Sequence, residues 1–96
     1  MDAQDLINSL AKDAKNIKYT KHARERLGDR DFSIRDVEKV LCNGIIIEEP
    51  REGKKGDWSY LIQYWGLERT ARDVGCATII LKDNKLLVKT IEYIDL

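Results

Sequence analysis

His22 is the only histidine in this 96-residue chain, and three arginines, Arg24, Arg26 and Arg30, follow it within the stretch KHARERLGDRDFS. An imidazole can accept or give a proton near neutral pH. A guanidinium keeps its charge, and its planar fork matches two phosphate oxygens. If residues 20–28 form a helix, His22 and Arg26 stand one turn apart on one face. Arg30 extends that line if the helix persists past Gly28, and Arg24 points elsewhere. Such a set is chemically competent for RNA transesterification. His22 would accept the proton of a ribose 2′-hydroxyl while Arg26 and Arg30 neutralise the charge that develops on phosphorus. On spacing alone a plainer account is favoured: Arg26 and Arg30 can pair with Glu25, Asp29 or Asp31 as surface ion pairs worth under ~1 kcal/mol each.

Further candidates lie downstream. Lys89 and Tyr93 are spaced to share one face of a final strand, as a phosphate contact and a proton donor, or as polar trim on an edge strand. With Arg24 they make a candidate nucleic-acid surface. Trp58, Tyr60, Tyr64 and Trp65 can stack on bases, or fill a core or a homodimer interface. Thr70, Arg69 and Arg72 form a polar loop able to meet an anion. Gly53 and Gly56 make no phosphate-binding loop, because no GxxxxGK[ST] is present. Cys42 and Cys76 belong to no CxxC or His/Cys ligand pattern, so neither a metal nor another cofactor is expected. Each lies in an apolar stretch and reads as a buried free thiol of a reducing, cytoplasmic compartment.

The elements that must position these groups are set by periodicity. Ala3, Leu6, Ile7, Leu10, Ala11 and Ala14 form one apolar stripe, with Asp2 as N-cap. Thr20 caps a second helix carrying Ala23 and Leu27, which Gly28 ends or loosens. Ser33 and Asp36 form a capping box opening a third, with Ile34, Val37, Val40 and Leu41 inward. Asn43-Gly44 supplies a left-handed stop. Strands are then expected at Ile45–Ile47, Trp58–Trp65, Cys76–Leu81 and Leu86–Ile94, with residues 51–57 as a loop. Helices before strands with short connections predict an α+β fold. It would comprise one domain over residues 1–96, its helices on one face of a four-stranded, mainly antiparallel sheet.

Composition narrows the partners. Seventeen basic residues balance seventeen acidic ones at a pI near 6.6, so the chain lacks the overall field of a general nucleic-acid binder. The charge is segregated, however. Eight bases lie from Lys12 to Arg35 against four acids, while Glu48, Glu49, Glu52, Glu92 and Asp95 fall later. No apolar run reaches the ~20 residues of a membrane span, and no signal peptide is expected.

His22-Ala23-x-x-Arg26-Leu27-x-x-Arg30-x-Phe32-Ser33, with LCNGIIIEEP after it, resembles a bacterial family of unknown function that is similar to the RelE/ParE-like toxins. That resemblance covers residues 19–50 well and 58–94 in outline. It implies a RelE-like sheet with one face open to RNA, and metal-free attack of a 2′-oxygen on the adjacent phosphate. His22, Arg26 and Arg30 stand at the matching positions. It also implies a toxin–antitoxin pair whose antitoxin is a zinc-ribbon or helix-turn-helix protein, with RNA or the ribosome as target. The chain departs from the pattern in having Asp31 for glycine, in a tyrosine one residue beyond the family's Thr-x-Tyr, and in its neutral charge. A non-catalytic protein-interaction module of the same fold is the alternative expectation.

Overall fold

Asp2 accepts a hydrogen bond from the Asp5 amide at 2.8 Å and starts α1, Ala3–Leu10. The structure is a computed structural model and describes residues 2–29, 32–53, 56–68 and 70–94. The helix is shorter than its apolar stripe. Asp13 caps a 3₁₀ turn at Ala14–Asn16 through the Lys15 amide, and the Asn16 side-chain amide donates to the carbonyl of Leu10 at 3.0 Å. Side chains thus take over the open end of α1, and the chain enters β1, Ile17–Tyr19.

Helix α2 spans Lys21–Asp29 and continues through Gly28. Thr20 caps it as expected, its hydroxyl accepting from the Ala23 amide at 3.0 Å. The Ser33/Asp36 capping box is also present and opens α3, Ile34–Asn43. Gly44 closes α3, but not as a left-handed stop: its φ of −79° and ψ of 172° are extended. Glycine is needed there for space. A Cβ would lie 2.5 Å from the Val40 carbonyl oxygen and 2.6 Å from Ile62 Cγ2.

The remaining strands are β2 (Ile45–Ile46), β3 (Arg51–Glu52), β4 (Trp58–Leu67), β5 (Arg72–Ile80) and β6 (Leu86–Tyr93). They form a six-stranded sheet in the order β1-β6-β5-β4-β2, with β3 also pairing β4. The α+β class holds, but the sheet has six strands where four were expected, and it is mixed: all pairings but one among the described residues are antiparallel. β1 runs parallel to β6, Ile17 opposite Leu86 and Tyr19 opposite Val88. β3 forms where a loop was expected, Arg51 opposite Ser59. β6 is therefore flanked on both sides at Leu86–Val88, whereas Thr90–Tyr93 pair with β5 alone among the described strands. β4 is flanked by β5 on one side and, at Trp58–Ser59 and Ile62–Gln63, by β3 and β2 on the other.

The core joins Ile7, Val37, Val40 and Leu41 of the helices to Ile62, Val74, Val88 and Ile91 of one sheet face. Tyr60 and Tyr64 pack against it, while Trp58 and Trp65 stay about half exposed. Cys76 is buried and Cys42 half-buried, both free thiols. Burial pushes the Cys76 thiol up to about 12 despite the Thr78 hydroxyl beside it. Among the described residues the helices pack on this core face, and the site lies on the opposite one.

Candidate functional site

Three adjoining hollows of about 510, 320 and 250 Å³ form a groove along the open sheet face. Ile79, Leu87, Ser59, Ala77 and Leu61 supply its floor. The 320 Å³ hollow is lined by His22 and Lys89, by Arg51, and by Thr90 and Ser59. It falls in the size range of small-ligand sites.

Backbone geometry brings His22 and Lys89 together. The Thr20 hydroxyl that caps α2 also donates to the carbonyl of Lys89 at 3.2 Å, and the Thr20 amide donates to that of Val88 at 3.0 Å. The start of α2 is thereby tied to β6 beside the groove. At that point β6 is irregular: Thr78 pairs with Val88 and Ala77 with Thr90, leaving Lys89 as an extra residue. Such a bulge re-aims side chains, and here Lys89 lines the groove together with Thr90.

The bulge and the packing beyond it separate Lys89 from Tyr93. Tyr93 lies opposite Val74 and packs against the core. Its ring centroid is 4.6 Å from that of Phe32, and the Arg72 guanidinium sits 3.8 Å above it. Tyr93 is thus a packing residue and not a neighbour of Lys89 in the groove. Arg72 opens β5 instead of sitting in an anion-binding loop, and Arg69 lies outside the described residues.

The other arginines divide similarly. Arg26 shares the α2 face of His22, but its Nη2 donates to Glu92 Oε2 at 3.3 Å. Its side chain is 19% exposed, and its buried Nε has no hydrogen-bond partner among the described residues. Arg24 is exposed and lines none of the three hollows. Arg30 lies outside the described residues, as does Asp31.

Four groove residues carry no signal in their spacing. Arg51 comes from β3, where a loop was expected, and it pairs with Glu48 at 3.0 Å. Ser59, Thr90 and Glu92 face the groove through strand register, Thr90 opposite Ala77 and Glu92 opposite Gly75. The local alternation Thr90-Ile91-Glu92 signals that register once Ile91 is known to be buried. Glu48, Glu52 and Asp57 add carboxylates to the rim, so cations and acids surround an apolar floor. Among the described residues no cluster of three or more His, Cys, Asp or Glu side chains could hold a metal. None of their helices is long and apolar enough to cross a membrane.

Compared with known proteins, the chain matches the model of a domain of unknown function, DUF4258, over residues 19–92. The chain belongs to that family. The matched range starts in β1 and contains Thr20, His22, Arg26, Arg51, Lys89, Thr90 and Glu92, whereas α1 precedes it. No curated protein and no solved structure matches the chain.

Proposed function

We propose that this DUF4258 domain is a RelE-like toxin of a toxin–antitoxin pair, a metal-free endoribonuclease acting in the cytoplasm. The observation that carries the reading is the shared hollow of His22, Lys89, Arg51 and Thr90 on the open sheet face. A 2′-oxygen attacking its neighbouring phosphorus needs proton transfer and positive charge near the phosphate oxygens. His22 serves the first need, and Lys89 and Arg51 the second. Lys89 and Arg51 take the charge-neutralising part given to Arg26, while Arg30 lies outside the described residues. The neutral overall charge and the rim carboxylates disfavour long-range capture of a polyanion. The substrate is accordingly a short single-stranded RNA segment. An antitoxin of zinc-ribbon or helix-turn-helix type would cover the groove.

Inducible expression tests this. Wild-type protein arrests growth and cuts cellular RNA, the product of the neighbouring gene relieves the arrest, and His22→Ala abolishes it. Undisturbed growth and intact RNA with folded wild-type protein would count against the toxin.

A second reading, a non-catalytic protein-interaction module, draws on the ion pairs Arg26–Glu92 and Arg51–Glu48 and the exposed Ile45 and Trp65. A mixed-charge groove with apolar neighbours suits a peptide as well. Under that reading His22→Ala changes partner binding and leaves RNA untouched.

A further inference from the structure

Cleavage by 2′-oxygen attack moves two protons, one from the nucleophile and one to the leaving 5′-oxygen, and His22 supplies one exchange site. The geometry points to Glu92 as the second catalytic group, the general base, positioned by Arg26, with His22 as the general acid. This rests on the nuclease reading above.

Glu92 and Thr90 project to the same side of β6, since their partners Gly75 and Ala77 are two apart on β5. Two strand residues span roughly 6.6 Å. Thr90 lines both the hollow that holds His22 and the adjoining one that holds Glu92. A ribose-phosphate linkage over Thr90 would therefore have an imidazole toward one side and a carboxylate toward the other. Arg26 engages Oε2 of Glu92 at 3.3 Å, and half of the Glu92 side chain is exposed (50%), leaving Oε1 for substrate. An ionised carboxylate only accepts hydrogen bonds, whereas an imidazolium only donates. In those states Glu92 is the group that takes a proton and His22 the group that gives one. Arg26 acts here as a positioning residue, which accounts for its engagement by a carboxylate instead of a phosphate.

The step balances. Glu92 takes the 2′-hydroxyl proton as the O2′–P bond forms, and the P–O5′ bond breaks as His22 gives its proton to O5′. A 2′,3′-cyclic phosphate and a 5′-hydroxyl result, and both protein groups re-equilibrate with water. Lys89, Arg51 and Arg26 are the cations around this centre; Glu52 lines the hollow that holds His22, and Glu48 lines the adjoining one that holds Glu92.

The test is a pH–rate profile of the full chain on a fluorophore–quencher single-stranded RNA oligonucleotide with EDTA present. Wild type gives a bell. Glu92→Gln lowers kcat/KM by about 10²–10⁴-fold and removes the acidic limb, His22→Gln removes the alkaline limb, and Glu92→Asp keeps the acidic limb at reduced kcat. Arg26→Ala lowers kcat with KM little changed. If Glu92→Gln cleaves at the wild-type rate with its acidic limb in place while His22→Gln is dead, the role of Glu92 is overturned and the nuclease reading stands. A raised KM at unchanged kcat in Arg26→Ala would place that arginine on substrate and overturn its positioning role. Absence of cleavage by wild type overturns both readings.

Discussion

Arg26 of α2 and Glu92 of β6 are joined by a hydrogen-bonded ion pair of 3.3 Å at the margin of the open groove. The pair fastens α2 to the strand that carries Lys89 and Thr90, so a contact with a structural role also sets the geometry of the site. Glu92 is half exposed, and solvent screens the attraction accordingly. A double-mutant cycle of Arg26→Ala and Glu92→Gln, read by urea unfolding, should give a coupling of about 0.2–1 kcal/mol. A coupling several times larger would mean that the pair chiefly holds the fold.

Thr20 has two tasks with separable consequences. Its hydroxyl caps α2 at the Ala23 amide and donates to the Lys89 carbonyl. Thr20→Ala should cost about 1 kcal/mol of stability, measured by denaturant midpoint. It should also lower RNA cleavage at temperatures where the variant is fully folded, because His22 is no longer fixed beside the bulge. Full activity in a folded Thr20→Ala protein would detach the cap from the site.

Lys89 and Arg24 make a matched pair for binding. Both are exposed cations, yet only Lys89 lines the groove. Lys89→Ala should weaken binding of single-stranded RNA and lower the magnitude of its salt dependence by about one phosphate contact, while Arg24→Ala leaves both unchanged. Fluorescence anisotropy over a salt series reads the difference. Equal effects from the two variants would point to diffuse surface attraction.

Alkali should destabilise the fold. Burial raises Cys76 from 9.0 to about 12 and Tyr19 from 10.0 to about 12, with Glu38 adding to the effect at Tyr19. Both groups keep their protons in the native state while the unfolded chain releases them, so stability is full below about pH 9 and falls between pH 9 and 12. Urea midpoints measured from pH 8 upward should decline, and Cys76→Ala should flatten part of the decline. A flat profile to pH 11 would contradict the burial of both groups.

Local chemistry is the legible part of this chain. Asp2, Thr20 and the Ser33/Asp36 pair are readable as caps, because a cap depends on residues within three or four positions. The long strands at 58–67 and 86–93 are readable because a buried β-strand imposes its own composition. β1 and β3 are not: Ile17–Tyr19 and Arg51–Glu52 are too short for alternation to show, and their pairing with distant β6 and β4 makes them strands. The site is half visible for the same reason. His22 and Lys89 can be found by type, but the bulge that turns Lys89 toward Thr90 exists only in the register of β5 against β6. Arg26 stands out by its spacing from His22 while its partner does not, since Glu92 is 66 residues away along the chain. Gly44 marks the end of α3 in the sequence on conformational grounds, when the close approach of Ile62 and the Val40 carbonyl is what demands it.

The most direct measurement is the end-group chemistry of RNA incubated with purified protein in EDTA, by mass spectrometry. Wild type should leave 2′,3′-cyclic phosphate and 5′-hydroxyl termini, and His22→Ala none at equal folded concentration. Uncut RNA with the wild type, or the same termini at the same rate from His22→Ala, would contradict it.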